Sequence, residues 1–163
     1  MRALAWACGA TLATCACAGA QSYPVRPVRI LTSEAGSGND FGARLIAQSI
    51  AGALGQQVIV DNRSSNVVAP VVAKSPPDGY TLLFYGPSIW LAPYLEDNVA
   101  YDPIADLAPL TLVARAPNVV VVHNAVPVKS LLELIAYAKP RAGELNYASA
   151  APGSSSHLAA ELF

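Results

Sequence analysis

Four signals in immediate succession constrain this chain more than anything else in it. An apolar stretch, Val28-Arg29-Ile30-Leu31-Thr32, runs into a glycine-bearing loop from Ser33 to Asp40. The segment from Phe41 to Leu54 then places Leu45, Ile46, Ile50, Ala53 and Leu54 at helical spacing, and a second apolar run, Val58-Ile59-Val60, begins just after Gly55. Strand, loop, helix, strand is a βαβ unit, so parallel strands and an α/β layer fold are expected. Asn39 or Asp40 is expected to cap the helix, and Gly55 to stop it.

The pattern continues. Val67 to Lys74 reads as a short helix, with Pro70 allowing only a first turn before it, and Asp78-Gly79 as a turn. Tyr80 to Tyr85 reads as a third strand, followed by the loop Gly86-Pro87-Ser88 and a helix near Ile89 to Leu95. Leu110 to Arg115 and Val119 to Val122 read as buried strands, because continuous Val/Leu runs suit strands covered on both faces. Ser130-Leu131-Leu132-Glu133 is a capping box that opens a helix to Lys139, stopped at Pro140. Asn146-Tyr147-Ala148 suggests one more short strand. The loop from Ser149 to Ser156 then feeds a helix beginning near His157. No repeat or low-complexity tract interrupts the chain.

At 163 residues the chain can build one domain, or one and a half of a two-domain protein. Lys plus Arg number 10 against 11 Asp plus Glu, with no basic block and no stripe of aromatics and arginines, so nucleic acid is excluded as a partner. The 53% apolar content is raised by the strands and by the first twenty residues. There, Arg2 precedes an apolar, small-residue stretch to Ala18, and Ala18-Gly19-Ala20 offers a cleavage pattern before Gln21. That is the form of a secretory signal peptide over residues 1–20, with a retained short anchor or a lipoprotein signal ending at Cys15 as the alternatives. Cys8, Cys15 and Cys17 all lie in that stretch, so a mature chain would hold no disulfide, thiolate metal site or cysteine nucleophile.

Two loops share one design: a strand, a small glycine-bearing turn, and the start of a helix. One comprises Glu34, Ala35, Gly36, Ser37, Gly38, Asn39 and Asp40, and the other runs from Ser149 and Ala150 through Gly153, Ser154, Ser155 and Ser156 to His157. The first amides of a helix lack internal partners and sit at the positive end of its dipole, so such turns can hold anionic oxygens without Lys or Arg. They are equally the ordinary caps of βα turns. Gly36-Ser37-Gly38 begins like a dinucleotide fingerprint, but Phe41 occupies the third glycine position. Ser154, Ser155 and Ser156 beside His157 do not form a nucleophile elbow, because His157 stands where its last glycine belongs. His123 has no companion at metal spacing, so neither a metal nor a cofactor is expected.

Several blocks carry a resemblance: DNR at 61–63, PPDGYTLL at 76–83, LNYAS at 145–149 and SSHLAAELF at 155–163. With YPVRPVRI and GSGNDFGARLIAQSIAGALGQQVIV before them, they make nearly all of the chain after residue 22 similar to the Bug family. These are the extracytoplasmic binding proteins of tripartite tricarboxylate transporters. The resemblance implies a type II periplasmic-binding, or Venus flytrap, fold that closes on a small carboxylate and hands it to a membrane permease without breaking a bond. It implies a first lobe over residues 21–122, the start of a second over 123–163, hinge strands near Val119 to His123, and a protein about twice this length. The family's ligand loops match the two loops above, and a third matches Gly86 to Ser88. Departures are visible: the first loop is one residue shorter than the family's usual Pro-Phe-x-x-Gly-Gly-Gly-Thr-Asp, with Glu34 near the site, and the stretch after Arg63 is shortened to Ser64-Ser65-Asn66. Glu34 is expected to disfavour a simple dicarboxylate, or to favour a ligand carrying an amine or hydroxyl. A truncated, non-functional receptor fragment and an α/β hydrolase-like enzyme are the competing readings.

Overall fold

The computed structural model describes residues 23–163. The expected signal peptide and its three cysteines lie outside the described residues. Three parallel strands, β1 (Val28–Thr32), β2 (Val58–Asn62) and β3 (Thr81–Leu83), form a sheet in the order β2-β1-β3. Helix α1 (Gly38–Leu54) links β1 to β2, and α2 (Ser65–Ala73) links β2 to β3. Beyond the sheet come α3 (Ser88–Leu95), α4 (Leu131–Ala138) with a 3₁₀ turn at Lys139–Arg141, and α5 (Ser155–Leu162).

Side-chain alternation along β1 explains why it sits in the middle. Ile30 points into a cluster with Ala43 and Ala47 of α1, joined by Val58, Val60, Leu82 and Phe84. Leu31 points to the opposite face, into a cluster with Val68 and Ala69 of α2, Ile89 of α3, and Leu83 and Tyr85. A strand buried on both faces must be apolar at successive positions, which is what Val28, Ile30 and Leu31 supply. Helix α1 approaches closely because Gly42 lacks a side chain: a Cβ there would lie 2.7 Å from the Phe84 ring. The start of β1 is pinned to the turn before β3 by Tyr23, whose hydroxyl donates to the Gly79 carbonyl at 2.6 Å, and by the Arg26–Asp78 ion pair at 2.7 Å.

Several boundaries differ from the sequence expectation. Ser37, rather than Asn39 or Asp40, caps α1. Helix α2 runs through Pro70, which sits at its sixth residue and not in the first turn. The expected strands at Leu110 to Arg115, Val119 to Val122 and Asn146 to Ala148 are absent, and so is any hinge strand at Val119 to His123. Residues 109–125 are exposed throughout, with Val121 at 83%. The physical reason is lateral: a strand needs backbone partners along its edge and cover on its faces, and no described strand pairs with this segment. An apolar run specifies burial but not the partner that provides it.

The layered core makes a direct prediction. Leu31 is fully buried at the centre of one cluster, so Leu31→Ala should lower unfolding free energy by about 2–5 kcal/mol in urea denaturation. A loss below about 1 kcal/mol would place β1 outside the core it defines here.

Candidate functional site

The two linking helices cover opposite faces of the sheet, α1 on the Ile30 side and α2 on the Leu31 side. The direction of winding therefore reverses between β1 and β3. In open parallel sheets, ligands bind beyond the carboxyl ends of the strands at such a reversal, where the departing loops separate and leave a crevice. The loop leaving β1 is Ser33 to Ser37, and the one leaving β3 is Phe84 to Pro87. They are tied at their roots: the Thr32 hydroxyl donates to the Phe84 carbonyl at 2.9 Å, and the Phe84 amide donates to the Leu31 carbonyl at 3.0 Å. The Ser149 to His157 loop joins them through Gly153, which is buried against Ser88 and Leu95 at the two ends of α3. All three sequence-identified loops thus belong to one end of the sheet.

The first and the last of these loops are built alike at the atomic level. At α1 the Ser37 hydroxyl accepts the Asp40 amide at 3.1 Å, while the Asp40 carboxylate reaches back to accept the Gly36 amide at 2.9 Å. At α5 the Ser154 hydroxyl accepts the His157 amide at 3.2 Å, while His157 Nδ1 accepts the Gly153 amide at 3.4 Å. Each is a serine cap with a reciprocal bond from the third helical residue to the amide before the cap, one residue displaced from the usual capping box. In both loops the residue before the serine is a glycine in the left-handed region, Gly36 and Gly153 having φ of +84° and +75°. The same reciprocal pair recurs without glycine at α4, with Ser130, Glu133 and the Lys129 amide.

This construction narrows what the loops offer. The amides of Gly36 and Gly153 are occupied by the protein's own side chains, which leaves the amides at the helix starts as the free donors. Gly38 and Asn39 at α1, and Ser155 and Ser156 at α5, are the first residues of their helices, whose amides have no internal acceptor. The remaining predicted residues are placed as follows. Glu34 is exposed, and its carbonyl accepts the Ser37 amide at 3.2 Å. Ala35 is also exposed, and Gly86 half-buried. The Ser149 hydroxyl turns to the Ala150 carbonyl, and the Ala150 amide donates to Ser156 Oγ at 3.4 Å.

Charge divides the two ends. Asp40 is 5% exposed, and its carboxyl is lowered to about 2, first by the Gly36 amide and then by the Arg44 and Asn62 side chains. Arg44 Nε lies 2.9 Å from Asp40 Oδ1, and Asn62 Nδ2 donates to the same oxygen at 2.9 Å. The corresponding position at α5 is an imidazole, His157, whose Nε2 lies 3.8 Å from Glu161.

Three residues outside the sequence-derived set hold these loops. Asn62 donates to the Ser33 carbonyl at 2.7 Å as well as to Asp40, and accepts from Arg44 at 3.0 Å. Its position was legible in principle: in a parallel sheet the last residue of β2 lies beside Thr32, where the first loop departs. Arg44, one turn along α1 from Asp40, carried a weaker signal as an i,i+4 partner. Asn118 exchanges a side-chain pair with Ser155, its Nδ2 donating to the Ser155 carbonyl and its Oδ1 accepting the Ser155 hydroxyl, both at 3.2 Å. No periodicity announces it, because it lies in an irregular segment.

Comparison with known proteins gives a consistent result. Residues 42–163 match the profile of the tripartite tricarboxylate transporter family receptor. The chain is 37% identical over 160 residues to BugT of Bordetella pertussis, covering 94% of this chain and 49% of that protein. The structure of R. palustris Rpa4515 with adipate superposes with a TM-score of 0.79 at 39% identity, covering 86% of this chain and 48% of that one. The periplasmic binding protein BugD superposes with a TM-score of 0.64 at 26% identity, over 86% and 48%. The fold is therefore that of the periplasmic binding proteins, and the chain spans about half the length of the curated relatives it matches.

The reciprocal caps generate two tests. A carboxyl whose pKa falls on folding contributes stability above its unfolded value near 4, lost as pH drops toward 2. An NMR titration of Asp40 should give a midpoint near 2, with the Gly36 amide resonance moving in step; a midpoint near 4 would mean that the cap bond is not made. Gly153→Ala forces a side chain into positive φ and within 2.9 Å of Leu95, so denaturation should show a loss of about 1–3 kcal/mol. Unchanged stability would show that the buried loop is not held as described.

Proposed function

The chain belongs to the tripartite tricarboxylate transporter receptor family, and on that premise we propose that it is the front part of a periplasmic receptor that captures a small carboxylate. The observation that carries this reading is the twin cap. Two helices of opposite origin in the sequence, α1 and α5, begin at one end of the sheet with their first amides unspent. Backbone amides at a helix start hold an anion by directional bonds and by the dipole, with no need for a cationic side chain. The ligand-contacting set is drawn from Glu34, Ala35, Gly38 and Asn39 of the first loop, Gly86 and Ser88 of the second, and Ser149, Ser155 and Ser156 of the third. Gly36, Ser37, Asp40, Gly153, Ser154 and His157 shape those loops, and Ala150 lies between them.

Adipate in the Rpa4515 structure, a neighbour at 39% identity, supports an organic acid of this size as the ligand. The family and its structural relatives are binding proteins rather than enzymes, and the receptor transfers its ligand intact to membrane permease subunits. Residues 1–20 direct the chain to the periplasm and are removed. Residues 21–122 form most of the first lobe and 123–163 begin the second, whose remainder the relatives' greater length supplies.

The experiment is a melting scan of the full-length protein with mono-, di- and tricarboxylic acids. A ligand at a hundred times its Kd stabilises by about 2.7 kcal/mol, a rise of several degrees for a chain of this class. A broad acid panel that leaves Tm unmoved would sink the assignment.

A further inference from the structure

Helix α3 has one side turned to the loops and another to a groove. Ser88 and Leu95 abut Gly153, and Ile89 enters the core. Trp90, Pro93 and Tyr94 of α3 and Tyr101 and Ile104 beyond it line an open groove of about 480 Å³, together with the carboxylates Glu96, Asp97 and Asp102. Tyr94 and Ile104 are 84% and 81% exposed. The Tyr101 hydroxyl donates to the Ile89 carbonyl at 2.8 Å, which ties Tyr101 to α3. Exposed aromatic and aliphatic side chains clustered around a concavity are the composition of protein contact sites.

Charge selects the occupant. From Ser75 to Ala114 the sequence has no Lys, Arg or His and five carboxylates: Asp78, Glu96, Asp97, Asp102 and Asp106. Asp78 is paired with Arg26. Among the described residues no cation forms an ion pair with the other four. Asp102 is kept ionised by the amides of Ala105 and Ile104, which lower its pKa. Such a groove repels anionic lipid and nucleic acid. A guanidinium suits it, because one planar group can lie on an aromatic face and bond a carboxylate.

We propose that this groove docks an arginine-bearing loop of a partner protein, the guanidinium lying against Trp90 and Tyr94 and facing Glu96 and Asp97. The surface is separate from the solute crevice but shares α3 with it, so the partner grips the helix that backs the last loop. Docking here does not depend on what the crevice binds.

Fluorescence anisotropy with a labelled peptide alternating Arg and Leu, and with its Glu-for-Arg counterpart, tests the groove on the chain itself. The Arg peptide should bind, the Glu peptide should not, and added salt should weaken the complex. Tyr94→Ala and the E96Q/D97N double variant, all at exposed positions, should keep the parent Tm and each lose affinity by about tenfold. Equal binding of both peptides, or unchanged affinity in both variants, would overturn the proposal. A Tyr94-dependent dimer of the chain alone would overturn it in favour of a second copy. Peptide binding that vanished in the full-length protein would do so in favour of an intramolecular contact.

Discussion

Helix starts leave amides without acceptors, and a parallel sheet gathers several helix starts at one end. That constraint organises the whole front of this molecule. Each start must satisfy some of its amides locally and leave others to water or a ligand. At α1 and α5 the division is the same: the serine hydroxyl takes the third amide, the third side chain takes the amide before the cap, and two amides between remain. Each loop is thereby held from both sides while the first two helix amides stay free of internal acceptors. A turn held from both sides loses little entropy when a ligand arrives, which is how preorganisation converts contact into affinity.

The two caps differ in one chemical respect. At α1 the reciprocal group is a carboxylate, at α5 an imidazole. Asp40 already places an anion at the positive end of its helix, and Arg44 and Asn62 hold it there. The α1 start therefore presents a ligand with amides whose field is partly cancelled, whereas no carboxylate fills the same place at α5. On the proposed reading, an acid between the two starts would meet its stronger attraction on the α5 side. Exposed Glu34 adds to that tilt. The asymmetry is built from residues that need not touch the ligand at all.

Local order was legible where local rules suffice. The βαβ unit, the glycine stop at Gly55 and the caps at Ser130 and near His157 follow from spacing and from the chemistry of helix ends. The cap falls at Ser37 instead of Asn39 or Asp40, and the sequence alone does not choose because it offers three polar candidates within four positions. Only geometry reveals that Asp40 folds back onto Gly36. Asn62 and Asn118 were missed for a related reason: their roles depend on which loop lies beside them, and that is a tertiary fact. The loops themselves are legible from their glycines and serines, but the side-chain bonds that occupy the Gly36 and Gly153 amides are not.

The valine run at 119–122 shows the converse limit. Its composition demands cover, and the described residues do not supply it: Val119, Val120 and Val121 stand 77%, 64% and 83% exposed. Exposing that much apolar surface costs about 25 cal/mol per Å² relative to burial, so the segment stabilises a fold only when another strand or helix covers it. The relatives' second half is the natural source, since they share this chain's fold over about half their length. Asn118 stands immediately before the run and clasps Ser155 at the start of α5. The valine run and the last loop are thus joined through one side chain. The uncovered segment and the last loop are one structural problem, because a single asparagine joins the valine run to the start of α5.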